Sequence, residues 1–305
     1  MSALRVMTYN VRYFAHATRG IATTAAGIRA IAKSLAALDP HPDIVCLQEV
    51  ETKSIRSRLA SGASEQTQLE RLMTDLERAM RARGVVMPYI AYYFPAHTYR
   101  LGRAANIYTT GLAVLVKQSF KVLDHNAAEP HDITHRTRLV GLKQTRIAAR
   151  VAFEHRSGQR IEVFNTHLSL PNFWKPEFWT GKARMGFGKN QLEEAKLLAA
   201  FIAKHRQSDH YLVAGDFNSL PGSPVDEYLR GDRGWTEARR TVAAGAKETF
   251  ATAGFMAMRM HIDHLYGSPT MEWLDMEGTH GFDGVGSFSG LSDHVPLIAR
   301  CRIAD

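Results

Sequence analysis

The sequence predicts an α/β fold, and three observations carry the prediction. Short apolar runs ending in Asn, Glu, His or Asp recur along the chain, amphipathic helical stretches lie between several of them, and the first three elements read strand, helix, strand. That order suggests a crossover unit in which both strands end on one edge of a sheet. With 305 residues, of which 45% are hydrophobic and 22% charged, the chain can bury a sizeable core without disulfide or metal staples. No Pro/Ser/Gly-rich linker divides it and no fixed-period repeat runs through it, so residues 1–305 are predicted to form one domain.

Leu4 to Tyr9 reads as the first strand, ending at Asn10. Ile21 to Leu38 places Ile28, Ile31, Leu35 and Leu38 at helical spacing, and Asp39-Pro40 stops it. Asp43-Ile-Val-Cys-Leu-Gln-Glu49 is a buried strand with a carboxylate at its end, which makes Asn10 and Glu49 neighbours. Leu69, Leu72, Leu76 and Met80 mark a second amphipathic helix. Pro88 to Phe94 and Gly111 to Val116 read as strands, with Phe120 to Leu123 continuing the latter across a tight turn. Residues 124–138 carry three histidines among polar residues at a spacing unsuited to a metal, and read as an exposed loop. Arg146 to Phe153 and Arg160 to Thr166 form a hairpin about Ser157-Gly158, whose second strand ends in Asn165-Thr166-His167.

Residues 171–189 form an aromatic and basic loop. Gln191 to His205 then shows a helical face through Leu192, Ala195, Leu198, Phe201 and Ile202. Next comes the run Tyr211-Leu-Val-Ala-Gly-Asp216-Phe-Asn218, an apolar strand leading into a loop rich in Ser, Pro and Gly. Residues 228–254 show no clear pattern. They precede His261-Ile-Asp263-His264-Leu-Tyr266, a Gly-rich stretch over 278–290, and Leu291-Ser292-Asp293-His294.

Two cysteines, Cys46 and Cys301, lie in apolar runs and read as core residues of a protein in a reducing compartment. No run approaches the length of a membrane span and the first residues lack the apolar core of a signal peptide, so a cytoplasmic enzyme without membrane insertion is expected. The net charge of +8 favours polyanions, although the arginines are scattered and not blocked.

Asp216 and Asn218, two residues apart beyond a buried strand, can face one small volume and hold a water against a phosphorus or carbonyl centre. The plainer reading is an Asx-type turn. Asn10, Glu49, His167, Asp216, Asn218, Asp263 and the Asp293-His294 pair all sit at or near strand ends. Converging acids repel unless a cation or proton intervenes, and an oxygen-rich set suits a hard ion such as Mg²⁺ or Mn²⁺. Histidines beside carboxylates suit hydrogen bonding to a phosphoryl oxygen or acid–base work. Taken singly, Asn10 is a turn former, His167 a core or surface histidine, and Ser292-Asp293-His294 a cap.

Taken together, Thr8-Tyr9-Asn10-Val11, Leu47-Gln48-Glu49, Asn165-Thr166-His167-Leu168, Gly215-Asp216-Phe217-Asn218-Ser219, Ile262-Asp263-His264 and Ser292-Asp293-His294 resemble the blocks of the endonuclease/exonuclease/phosphatase superfamily, in its usual order. The resemblance implies a four-layer α/β sandwich: two largely antiparallel sheets face to face, with helices outside. It implies that Glu49 is the main ligand of Mg²⁺ (or Mn²⁺), with Asn10 beside it and Asp293 completing the metal environment. Asp216 would orient or deprotonate the attacking water with help from Asn218. His167 and His294 would contact phosphate oxygens, and Asp263 would fix the His294 ring.

Members of that superfamily cleave DNA, RNA, sphingolipids and inositol phosphates. The abasic-site branch typically carries Tyr, then Asn three residues on, where this chain has His167 and Leu170. Position 264 is His where many relatives carry Tyr or Trp. In the loop after His167, Trp174, Lys175, Trp179, Lys182 and Arg184 are candidates for contact with bases, a lipid-like group or phosphates; alternatively its aromatics pack the loop onto the sheet edge. The expectation is a monomeric phosphodiesterase or nuclease acting on DNA or RNA. The alternatives are a phosphatase or phosphodiesterase for small-molecule or lipid-linked phosphates, of the inositol-phosphatase or sphingomyelinase kind, and a binding protein that retains the fold without catalysis.

Overall fold

The computed structural model describes residues 3–12, 24–51, 67–96, 100–101, 105–106, 110–135, 145–171, 184–242, 251–255, 258–277 and 288–304. The strands are β1 (Leu4–Asn10), β2 (Ile44–Glu51), β3 (Tyr89–Pro95), β4 (Arg100–Leu101), β5 (Ala105–Asn106), β6 (Thr110–Lys117), β7 (Lys121–His125), β8 (His131–Asp132), β9 (Ile147–Glu154), β10 (Arg160–His167), β11 (Tyr211–Asp216), β12 (Thr236–Glu237), β13 (Ala253–Phe255), β14 (Met258–Met260), β15 (Asp263–Gly267), β16 (Met271–Met276) and β17 (Leu297–Ile303). The helices are α1 (Thr24–Ala36), α2 (Gln68–Arg81), α3 (Lys189–His205), and the short α4 (Pro224–Glu227) and α5 (Ala238–Val242).

One sheet runs β16-β17-β1-β2-β6-β3 and the other β12-β15-β11-β10-β9-β7, with β8 added on β9. Each is mixed: β1 and β2 are parallel, as are β10 and β11, and the other pairs are antiparallel. The strands are apolar on both faces because both faces are covered. Along β1, Leu4 and Val6 point into the core between the sheets, with Cys46, Val114, Val163, Leu212 and Leu297. Met7 and Tyr9 point the other way, onto Ile28, Ile31 and Leu35 of α1 and Leu72, Leu76 and Met80 of α2. On the far side Phe164 and Val213 meet Ala195, Leu198, Phe201 and Ile202 of α3. Helices, sheet, sheet and helix therefore stack as four layers. Cys46 and Cys301 are free and buried in the inner core.

Local sequence explains the helix ends. Thr67 caps α2 in a capping box: its hydroxyl accepts from the Glu70 amide at 3.2 Å, and the Glu70 carboxylate accepts from the Thr67 amide at 2.7 Å. At the start of α3, Gln191 accepts from the amides of Gly186 and Gly188, both at 3.1 Å.

Two expectations change. Phe120 to Leu123 do not extend β6 by a tight turn. The ring of Phe120 packs on Phe153 with centroids 5.1 Å apart, which turns the chain so that β7 pairs with β9 in the other sheet. Within 124–138, His131 and Asp132 form β8 on β9, and the His131 ring stacks on Phe201 at 4.4 Å.

Candidate active site

Topology gathers the polar strand ends. The carboxyl ends of β1 and β2 lie together because the strands are parallel, with Asn10 in register with Gln48. In the second sheet His167 and Asp216 close the parallel pair β10–β11, and antiparallel β15 brings its first residue, Asp263, opposite Asp216. β17 runs antiparallel to β1, so the segment entering it, with Asp293 and His294, arrives at the same edge.

The backbone at this edge is specialised. The register of β2 with β6 shifts between Leu47 and Val50, a bulge that holds Gln48 and Glu49, and Glu49 has φ +58°. A non-glycine residue in this region stores on the order of 1–3 kcal/mol, a cost tolerated where a side chain must be re-aimed. Asn218 also lies at positive φ, +48°, which Asn accepts more readily than most residues. Gly215 sits where β11 comes nearest β10: a Cβ there would stand 2.2 Å from the Thr166 carbonyl oxygen.

Asp216 lies at the centre. One carboxylate oxygen, Oδ2, accepts from Asn10 Nδ2 at 2.9 Å and faces His167 Nε2 at 3.5 Å and His294 Nε2 at 3.8 Å. The other, Oδ1, accepts from the Asn218 amide at 2.9 Å. Burial, and then the neighbouring Asp263 carboxylate, push the Asp216 carboxyl up to about 7. His294 Nδ1 donates to Asp263 Oδ2 at 2.8 Å. Burial opposes its charge, but the carboxylates of Asp263 and Asp216 prevail and push it up to about 10. His167 behaves oppositely: burial, with the charges of Arg146 and His294, drives it well below the usual imidazole range. The pair thus supplies one cationic and one neutral imidazole at neutral pH.

Glu49 lies 3.9 Å from His167 Nε2, and burial raises its carboxyl although the charge of His294 opposes this. Asn10 donates to the Asp216 carboxylate, while its oxygen accepts from the Arg12 amide at 2.9 Å. Asp293 is ion-paired with Arg12. Asn218 spends its amide nitrogen on the Leu168 carbonyl at 2.9 Å, so it fixes the loop after β10 as well as Asp216.

The site uses residues that the motifs did not single out. Arg146, just before β9, lines the cleft with Glu49 and His167 and donates from Nε to Ser169 Oγ at 3.3 Å. Glu194 of α3 accepts from the Ser169 amide and hydroxyl, each at 2.8 Å, and Gln191 donates to the Asn218 carbonyl at 2.6 Å. Gln48 and Asn165 join the two sheets at 2.8 Å, and Asn165 also donates to the carbonyls of Leu47 at 3.0 Å and Ala113 at 3.1 Å. The sequence signal for Gln191 and Glu194 is a polar pair three apart on the helix face that turns inward. Arg146 had no local signal. Of the loop candidates, Trp174, Lys175, Trp179 and Lys182 lie outside the described residues, and Arg184 is exposed.

A divalent cation fits this chemistry. Glu49 is a half-buried carboxylate held toward its neutral form, and Asp263 Oδ1 is buried without a hydrogen-bond partner. Ligand atoms of Asp216, Asp263 and His294 lie within 4.8 Å of one another. In that trio the His294 imidazolium already occupies the space between the carboxylates and repels a second cation, which leaves Glu49 and Asn10 as the freer oxygen donors.

Known structures share the architecture. The catalytic domain of human Nocturnin with bound sulfate is 20% identical with a TM-score of 0.61, over 99% of this chain and 94% of that one. ANGEL2, a 2',3'-cyclic phosphatase in complex with adenosine-2',3'-vanadate, is 18% identical with a TM-score of 0.65, over 99% and 96%. A family protein from Leptotrichia buccalis is 16% identical with a TM-score of 0.68, over 99% and 100%. No curated protein matches the sequence at a significant level. The model of the Endonuclease/Exonuclease/phosphatase family matches residues 7–294, from the middle of β1 to His294. By that match the chain belongs to the endonuclease/exonuclease/phosphatase family of phosphoesterases.

Proposed function

We propose that the protein is a divalent-metal-dependent phosphodiesterase that cleaves DNA or RNA by water attack, acting as a single-domain monomer in the cytoplasm. The observation that carries the proposal is the posture of Asp216. Its oxygens are held by Asn10 and by the Asn218 amide, and both active-site imidazoles face Oδ2. A carboxylate poised near neutral pH can take a proton from water without first being stripped of a tight salt bridge. His294, kept cationic by Asp263, places positive charge where negative charge grows on phosphate oxygens, and neutral His167 donates or accepts beside it. Arg146 offers a further cationic contact at the cleft wall.

Glu49 and Asn10 would hold Mg²⁺ or Mn²⁺, with Asp293 available once its pairing with Arg12 loosens. When bound, the ion supplies Lewis-acid stabilisation of phosphoryl and leaving-group oxygens. Among substrates, the net charge of +8 favours a polyanion over a small phosphate. A second reading is hydrolysis of small or lipid-linked phosphates; for small phosphates it draws on the likeness to ANGEL2, a 2',3'-cyclic phosphatase. Supercoiled plasmid with Mg²⁺ or Mn²⁺ separates the two. Nicking abolished by EDTA supports the nuclease. Intact plasmid from a preparation that hydrolyses a small chromogenic phosphodiester supports the second reading.

A further inference from the structure

Behind the catalytic edge lies a second cluster of ligating side chains. β12 ends in Glu237, and His261 and His264 flank Asp263 at the start of β15. Successive strand residues point to opposite faces, so His264 turns away from the site that Asp263 serves and packs with Phe217 and Tyr266. Glu237, His261 and His264 are 2%, 6% and 0% exposed. Their ligand atoms all lie within 4.8 Å of one another.

Two separations in this cluster suit ligands around a metal and are long for charge-assisted hydrogen bonds. Glu237 Oε1 lies 3.4 Å from His261 Nε2 and 3.4 Å from His264 Nδ1. Charge-assisted hydrogen bonds close to about 2.7–2.9 Å. Ligands about 2.0–2.1 Å from a tetrahedral zinc ion stand about 3.3–3.4 Å apart. The orientation of two ligands is also fixed from outside. His264 Nε2 donates to the Ser219 carbonyl at 2.7 Å, which turns Nδ1 toward Glu237 Oε1, and Glu237 Oε2 accepts from the Arg240 amide at 2.9 Å, which aims Oε1 at both rings. Ring nitrogens and carboxylates held this way are the outer support expected around a metal.

We propose that Glu237, His261 and His264 bind a zinc-class divalent ion, with water as fourth ligand, at a site distinct from the phosphoesterase centre. Two imidazoles and one carboxylate favour Zn²⁺ or Co²⁺ over the oxygen-seeking Mg²⁺. The ion ties β12 to the segment bearing Asp263 and, through His264 and Ser219, to the loop that follows Asp216. Its role is to hold catalytic residues from behind.

The test is a titration of chelator-stripped, full-length protein with zinc chloride in a large excess of Mg²⁺, which saturates the oxygen-rich centre. The expected result is one zinc ion per chain in the wild type and in Glu49→Gln, with affinity lowered on the order of 100-fold or more in His261→Asn. Should that variant fail to fold, X-ray absorption on the wild-type zinc form reads the ligands directly, and two imidazoles with oxygen are expected. No zinc uptake by the wild type overturns the proposal, as does uptake lost in Glu49→Gln and retained in His261→Asn, or a shell without imidazole.

Discussion

Asp263 acts through its neighbour: it decides the charge of His294. Its carboxylate accepts the His294 Nδ1 proton at 2.8 Å and, against the opposing effect of burial, leads the carboxylates that push that imidazole up to about 10. A raised value means that the cation is fully present at neutral pH and is lost only as pH rises through the folded-state value. Asp263→Asn should therefore lower kcat on the order of 10²-fold and move the alkaline limb of the pH–rate profile toward neutrality. An unmoved alkaline limb would show that His294 is not the group titrating. At this scale the sequence was most legible where chemistry is written in short blocks: Asn10, Glu49, His167, Asp216, Asp263 and His294 do converge. Arg12 and Arg146 were not, because among 38 basic residues nothing local marks the two that fold against Asp293 and the cleft wall. Nor does a motif reveal that Asn218 spends its side chain on the Leu168 carbonyl.

Gly215 permits β10 and β11 to approach, and Gly215→Ala places a methyl 2.2 Å from a backbone oxygen, so the strands must part. Such forced repacking costs about 1–3 kcal/mol, which should appear as a lower denaturant midpoint with activity reduced beyond what stability alone explains. Helix α3 acts at a distance: Glu194 holds Ser169, and Ser169 accepts from Arg146. Glu194→Ala leaves two buried donors on Ser169 unmet, at about 1–3 kcal/mol each, and should raise KM more than it lowers kcat. An unchanged KM would detach Arg146 from substrate binding. Long elements with clear periods, such as α2, α3 and β9–β10, matched their sequence patterns. The short strands β12 to β14 and the turn between β6 and β7 did not, because their placement comes from tertiary packing such as Phe120 on Phe153, which no local period encodes.

For the whole molecule, two sheets pack face to face and the polar edge forms where their strand ends coincide. The α/β class was readable from alternating elements, but the four-layer arrangement came from the family resemblance, because apolar runs alone do not say which strands share a sheet. The buried Gln48–Asn165 contact, 2.8 Å across the sheets, sets their registration behind the site. No helix among the described residues is long and apolar enough to cross a membrane. If the chain's net charge of +8 serves a polyanionic substrate, affinity for polynucleotide should fall steeply with salt. A footprint of about 6–10 phosphates predicts a loss of about 10³–10⁵ between about 50 and 200 mM salt. A flat salt response in a binding titration would favour a small substrate instead.

The central claim is that this edge hydrolyses phosphodiesters with Asp216 as the proton acceptor. The most direct measurement is the turnover of a phosphodiester in saturating Mg²⁺ by wild type and by Asp216→Asn, with folding of both verified by circular dichroism. The account predicts a kcat lower by about 10²–10⁴ in the variant, with KM little changed. A folded Asp216→Asn enzyme that turns over at the wild-type rate would contradict it.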